Sequence, residues 1–280
     1  MDHYVKQILK VLLYIDENYG EKITVDQLAE IACYSPFHFH RVFQSVVNES
    51  VYQYVKRIRL DRAARKLAYS KANVTSIALE SGFDTPSSFT KAFRKHKGDT
   101  PKNFRALFKS AYNITLNLKE IAMIKPDTIE NIDNLDLHFI REQGDYRKSG
   151  VKAWEKLNHY IEEKHLESKE LRFFGISHDD PNITDKENLR YDACIHISSG
   201  AKEEHGLSRQ TYKGGKCAIF IHKGSYEGLK ETFDQIFLKW FSESKERCDD
   251  SRLVLSEYFN KEYKDTNPEK LITKIFIPLK

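Results

Sequence analysis

The chain is poor in the residues that staple small folds or build metal and redox centres. Its 280 residues include four cysteines, Cys33, Cys194, Cys217 and Cys248, and no two of them form a C-x-x-C pair. That spacing argues against a zinc ribbon or a disulfide framework and fits a reducing cytoplasm, the expected location. No stretch approaches the roughly 20 apolar residues that a membrane span needs, and the N-terminus lacks the apolar core of a secretory signal. No nucleophile triad, metal spacing or phosphate loop stands out, so the expectation is a non-enzyme with no cofactor and no metal. His38 and His40, two residues apart, are poorly placed to share a metal on a helix.

The length suits two medium domains, and the charge divides them. Residues 1–108 hold 17 Lys and Arg against 11 Asp and Glu, a balance of +6. Residues 109–280 hold 28 against 30, a balance of −2. A basic part joined to a slightly acidic one points to a polyanion partner for the first part only.

Helical signals fill that first part. Ile8, Val11, Leu12 and Ile15 mark an amphipathic helix stopped near Gly20, and Thr24 to Gln27 form a capping box for a second. Ser35 caps a third helix with Pro36 in its first turn, and Phe39, Val42, Phe43 and Val46 make its buried stripe. Phe37, His38, His40, Arg41 and Gln44 are left facing outward. This set makes a poor solubility surface and a good one for base edges and phosphates. Phe37 fits a thymine methyl or a core position; Arg41 fits guanine or a phosphate. Ser50 to Gln53 open a long helix to about Tyr69, whose polar side carries Arg57, Arg59, Arg62, Arg65 and Lys66.

The pattern then recurs. Ala29 and Tyr34 match Ala78 and Phe83 at an offset of 49. Phe39, Arg41, Phe43, Ser50 and Tyr54 match Phe89, Lys91, Phe93, Thr100 and Phe104 at an offset of 50. The expected architecture is all-α, with two helix-turn-helix motifs joined by one long helix. Two reading helices on one chain can enter successive major grooves about 34 Å apart, and a connecting helix of roughly 18 residues spans about 27 Å.

Residues 5–106 resemble the DNA-binding domain of AraC/XylS-type transcription regulators. The matching residues are Ile31 to Ser35 with Phe39, Arg41 and Phe43, then Ile77-Ala78, Gly82-Phe83, Ser88-Phe89, Ala92-Phe93, Gly98, Thr100-Pro101 and Arg105. Cys33 departs from the family's usual glycine, which implies a slightly tighter or more strained first turn. The resemblance implies contacts to double-stranded DNA from Phe37, His40 and Arg41 in the first reading helix. In the second it implies them from Ser87, Ser88, Thr90 and Lys91. It also favours activation through RNA polymerase. The first helix is expected to supply most of the sequence discrimination and the second mainly to anchor.

Residues 1–108 are thus read as the DNA-binding domain, 109–131 as the end of the last helix plus a linker, and 132–280 as a second domain. There the periodicity gives strand, helix, strand and strand, and Gly144-Asp145-Tyr146 recurs as Gly224-Ser225-Tyr226 at an offset of 80. Two such repeats predict an α+β domain with pseudo-two-fold symmetry and a cleft near its axis. Glu257 shares a strand face with Leu255 and Phe259. It would balance a cationic ligand, act as an acid or base, or simply meet solvent. Trp154 and Trp240 fall on helical apolar faces, and His178-Asp179-Asp180 reads as a solvated turn.

Residues of about 132–280 resemble the GyrI-like effector-binding domain. Matching pieces are Leu189 to Asp192, Gly214 to Ala218, His222 to Tyr226, Glu257 to Asn260, Pro268-Glu269 and Ile277 to Leu279. Ser225 departs from a frequent proline. The resemblance implies a small-molecule pocket walled by Tyr146, Trp154, Tyr191 and Tyr226 with Glu257 as its carboxylate, suited to a hydrophobic cation. With the DNA-binding domain first and the GyrI-like domain second, the order is of the Rob type. Two alternatives stay open: a hydrolase using a Tyr191/Glu257 pair, and a domain that docks a protein.

Overall fold

The computed structural model describes residues 3–119, 123–166, 170–197, 207–259 and 267–280. It divides into two compact units, Met1–Asn113 and Ile114–Lys280. Among the described residues no helix is long and apolar enough to cross a membrane.

Among the described residues seven helices follow one another, the last running past the end of the first unit: α1 His3–Asn18, α2 Val25–Ile31, α3 Pro36–Val47, α4 Val51–Tyr69, α5 Val74–Glu80, α6 Pro86–Lys97 and α7 Pro101–Lys119. Both capping boxes form, Thr24 with Gln27 and Ser50 with Gln53, each satisfying amide donors that the helix itself leaves open. The turn from α2 to α3 closes with Cys33 N donating to Glu30 O and Tyr34 N to Ala29 O. The turn from α5 to α6 repeats it, with Gly82 N on Leu79 O and Phe83 N on Ala78 O. Cys33 has φ +58° where Gly82 has +75°. The first copy therefore holds a β-carbon in a conformation that suits glycine.

The core runs through Phe39, Phe43, Tyr54, Phe89 and Phe93, all fully buried. Val46 is a correction: it lies at the edge of the stripe and is exposed. The polar side of α4 is another. Arg57 and Arg62 are buried; Arg57 pairs with Glu49, and Arg62 Nη2 lies 3.9 Å from Asp16 Oδ1. Arg59 donates to three backbone carbonyls, Tyr19 O at 2.7 Å, Gly82 O at 3.0 Å and Glu21 O at 2.6 Å, and Lys66 pairs with Glu80. These cations stitch α4 to its neighbours, because a helix enclosed on most sides must spend its charges inside the protein.

Among its described residues the second unit holds one antiparallel sheet of eight strands in the order β1-β6-β8-β7-β3-β4-β2-β5. The strands are β1 Thr128–Ile132, β2 Leu135–Gln143, β3 Leu171–Ser177, β4 Arg190–Ile197, β5 Ser208–Tyr212, β6 Gly215–Lys223, β7 Val254–Tyr258 and β8 Ile272–Pro278. Helix α8, Tyr146–Glu163, follows β2. Its counterpart after β6 is α9, Leu229–Asp234, continued by a π-helical Gln235–Trp240 and the short α10, Phe241–Glu243. The two strand–helix–strand–strand repeats are present as expected. Asn260 lies outside the described residues.

Two strands escaped the sequence reading. Residues 128–131, taken as linker, belong to β1, and β5 is its partner at an offset of 80. Each leaves its own repeat. β1 pairs with β6, Thr128 opposite Ile219, while β5 pairs with β2, Ser208 opposite Phe139. The second register is the first moved by 80 residues, so the pseudo-two-fold holds to the residue. The axis passes between β3 and β7, where Gly175 faces Ser256.

The helices cover one face of this sheet. Ile140, Ala153, Leu157, Ala193 and Ile195 form the core under α8. Phe220, Ile236, Trp240, Val254, Ile275 and Ile277 form the core of the other half. Trp240 is thus a core residue, its ring edge-on to Phe220 at 5.2 Å.

Candidate functional site

In the first unit the two reading helices start alike. Ser35 Oγ accepts the His38 amide and Thr85 Oγ1 accepts the Ser88 amide, with Pro36 and Pro86 in the first turns. Each such cap contributes about 1 kcal/mol and fixes which residues turn outward. Phe37 is 74 % exposed, and His38, His40, Arg41 and Gln44 are exposed with it. The Arg41 guanidinium lies 5.9 Å from the Phe37 ring centre, so the two side chains form one projecting unit. His38 turns toward α1 instead, its ring edge-on to Tyr34 at 4.8 Å and 5.9 Å from Tyr4.

On α6, Ser87, Ser88 and Lys91 are exposed and Thr90 is half-buried. Two hydroxyl protons are already committed. Ser88 Oγ donates to Thr85 O at 2.8 Å and Thr90 Oγ1 to Pro86 O at 2.8 Å. Pro86, Ser87, Thr90, Lys91 and Thr100 line an open groove of about 760 Å³ with Arg94 and Lys95. The sequence reading missed these last two cations; the signal was the basic last turn of α6, which also complements the helix dipole.

In the second unit the rings of Tyr146, Trp154, Tyr191 and Tyr226 do gather, with Tyr258 as the joint between the halves. Tyr146 and Tyr191 are edge-on at 6.0 Å, Trp154 and Tyr258 at 5.4 Å, and Tyr226 and Tyr258 at 5.3 Å. Trp154 Nε1 donates to Tyr191 Oη at 3.0 Å, and Tyr191 Oη lies 3.1 Å from Tyr258 Oη. Burial, and for Tyr191 the neighbouring Tyr258, pushes both phenols above the ordinary tyrosine value. A β-carbon on Gly175 would stand 2.3 Å from Tyr191 Oη and 2.9 Å from Tyr258 Cε2, so only glycine admits this pair.

Glu257 is not part of this cluster. Side chains alternate along a strand, and Tyr258 faces α8, so Glu257 faces away. It is 5 % exposed, on the face of Leu255 as expected, and its register partner is Phe174. Arg172 Nε donates to Glu257 Oε1 at 2.8 Å while its guanidinium lies 4.9 Å from the Phe174 ring. The aromatic box thus lacks the carboxylate expected of it, and a Tyr191/Glu257 pair is separated by the sheet.

The turn at His178-Asp179-Asp180 is also not what it seemed. Arg190, buried beside Asp179, donates from Nη2 to Asp179 Oδ1 at 2.8 Å and from Nε to Oδ2 at 2.9 Å. Tyr146 Oη donates to Asp179 O at 2.7 Å and accepts from Asp179 N, which ties one ring of the cluster to this ion pair. His178 is buried between Arg141 Nη2 at 2.8 Å and Asp192 Oδ2 at 2.7 Å. Arg141 also holds Asp192 through two bonds, and Gln210 Nε2 donates to it at 2.9 Å. Burial would raise the Asp192 carboxyl, but Arg141 and His178 outweigh it and hold it below the usual carboxylate range. Burial and the Arg141 cation hold His178 below its ordinary value. Among the described residues no group of three His, Cys, Asp or Glu is placed to hold a metal.

Comparison with known proteins follows this division. Residues 128–280 match the GyrI-like small molecule binding domain, and residues 28–107 match a helix-turn-helix domain family. The HTH-type transcriptional activator AarP of Providencia stuartii is 32% identical over 112 residues, 40% of this chain and 82% of AarP. The uncharacterized HTH-type transcriptional regulator YbfP of Bacillus subtilis is 33% identical over 107 residues, 38% of this chain and 36% of YbfP. The chain therefore spans only about a third of YbfP. Among solved structures, the DNA-binding domain of AdpA in complex with a target DNA is 27% identical with a TM-score of 0.37, covering 38% of this chain and 96% of that one. With two capped helix-turn-helix motifs in the first unit and residues 128–280 of the second matched, the chain belongs to the AraC-type helix-turn-helix family, fused to a member of the GyrI-like domain family.

Proposed function

We propose that this chain is a transcription regulator of the cytoplasm. Its first unit binds double-stranded DNA through α3 and α6, and its second binds a small hydrophobic effector in the aromatic cluster. The observation that carries the reading is the matched pair of caps, Ser35-Pro36 and Thr85-Pro86, each turning a polar or basic face to solvent. α3 presents the Phe37–Arg41 unit with His40 and Gln44, the side-chain types that read base edges in a major groove. α6 presents Lys91, Arg94 and Lys95, which suit phosphates. The commitment of the Ser88 and Thr90 protons supports a division in which α3 discriminates and α6 anchors.

We take the sign of regulation to be activation through RNA polymerase, in keeping with AarP, a named activator alike over this unit. The test is a footprint on operator DNA selected from a random pool, followed by transcription in vitro from a promoter carrying that site. Protection in two adjacent major grooves and more transcript with protein support the reading. Protection confined to one groove, or no sequence preference, would sink it.

A further inference from the structure

The first turns of α4 carry an aromatic–cation pair that belongs to neither reading helix. Tyr52 is 73 % exposed, and Lys56 Nζ lies 5.9 Å from its ring centre. The spacing of one helical turn and the distance are those of Phe37 and Arg41 on α3. Among the described residues no ion pair engages Lys56 and no hydrogen bond engages the Tyr52 hydroxyl.

Two relations place this pair on the reading side. In the second copy, Thr100 at the start of α7 lines one open groove with Pro86, Ser87, Thr90 and Lys91 of α6. The 50-residue repeat carries Thr100 onto Ser50, the cap of α4, so the start of α4 flanks α3 as that of α7 flanks α6. Farther along α4, Arg59 donates to Gly82 O in the turn that leads into α6. Burial lowers the Arg59 pKa, and Asp84 and Tyr52 work against that, so both side chains lie near its guanidinium. Tyr52 and Lys56 therefore stand between α3 and the turn before α6, and the nearby acid, Asp84, has Arg59 beside it.

A duplex that offers successive major grooves to α3 and α6 turns its minor groove, edged by two sugar–phosphate backbones, toward whatever lies between them. A phenol and an ammonium can both donate to phosphate oxygens, and neither has the two-pronged shape that tells one base from another. Resting on the reading of α3 and α6 as DNA-reading helices, we infer that Tyr52 and Lys56 form a third DNA contact, which grips the phosphate backbone between the two major grooves without regard to sequence.

Operator duplexes with uncharged methylphosphonates across the stretch between the two protected grooves test the contact, by titration with the full chain. Wild type is expected to lose about tenfold in affinity on them, the order of one phosphate pair. Lys56→Ala should bind the unmodified operator and a scrambled duplex about tenfold more weakly and lower the salt slope by about one. On the neutral stretch it should lose less than about twofold further, its phosphate contact being already gone. Lys56→Arg should restore wild-type behaviour, and Tyr52→Phe should cost about threefold. A wild type indifferent to the neutral stretch, or a Lys56→Ala variant that loses as much on it as wild type does, overturns the inference while two-groove binding stands. Unchanged DNA affinity with less transcript in Lys56→Ala would assign the pair to polymerase and overturns it as well. No sequence-preferred binding by wild type overturns the inference together with the reading of the two helices.

Discussion

Cys33 and Gly82 occupy the same place in the two helix-turn-helix turns and share a left-handed backbone, at φ +58° and +75°. Cysteine holds that conformation at a cost of about 1–2 kcal/mol that glycine does not carry. Cys33→Gly should therefore raise the stability of the first unit by about 1 kcal/mol, after allowing for glycine's freer unfolded chain. The reverse change is harsher. A β-carbon on Gly82 would stand 2.8 Å from Arg59 Cζ and 2.9 Å from Gly20 O, so Gly82→Ala should cost about 2 kcal/mol or more. Urea titrations of the two variants measure both; equal effects would contradict the assignment.

The cations divide into those that hold the fold and those proposed to contact DNA. Arg41→Ala should weaken specific binding by about 1–3 kcal/mol without changing the unfolding midpoint. Lys91→Ala should weaken all sequences alike and lower the salt slope by about one. Arg59→Met should do neither, because its guanidinium serves Tyr19, Gly82 and Glu21 carbonyls; it should cost about 3 kcal/mol of stability instead. Salt-dependent binding isotherms beside melts distinguish the three.

Base changes across the operator provide a separate check. Substitutions under α3 should cost about 1–3 kcal/mol each, and those under α6 well below that. Comparable penalties under both helices would refute the division of labour.

Acid should loosen the second unit in two stages. His178 titrates lower in the fold than its unfolded value of about 6.5, so below that pH the unfolded chain takes up the proton first. Asp192 is likewise depressed, so its contribution is whole above about 3.9 and lost as pH falls further. Both tryptophans, Trp154 and Trp240, lie in this unit, so their fluorescence follows its unfolding alone. Stability should decline from pH 7 toward 5 and again below 4, and His178→Gln should remove the first decline only. A flat profile above pH 4.5 would contradict the buried, neutral histidine.

Gly175→Ala tests the geometry at the axis. The added methyl collides with Tyr191 Oη, so it should part the Tyr191–Tyr258 pair, lower stability by about 1–3 kcal/mol and weaken effector binding. Tight binding retained in this variant would place the ligand elsewhere.

The helical unit was legible because its information is local. Caps such as Ser50 with Gln53, and stripes such as Phe39, Val42 and Phe43, declare themselves within one or two turns. The roles of Arg57, Arg59 and Arg62 did not, since a basic residue looks the same whether it meets phosphate or a carbonyl forty residues away. β1 and β5 were missed for a related reason. Thr128–Ile132 and Ser208–Tyr212 are short edge strands with little apolar alternation, and nothing local marks their distant partners. At Glu257 the alternation correctly joined it to Leu255, but a period of two cannot say which face the helices cover. Tyr258 was one residue away.

The crossing of β1 onto β6 and of β5 onto β2 gives the second unit an indivisible character. Neither repeat can finish its own sheet; each borrows its outermost strand from the other. Half of the domain made alone would end in a bare hydrogen-bonding edge and would have nowhere to send its first strand. The two halves should melt as one cooperative body, and a ligand seated at their axis would be read by a surface that neither half alone possesses.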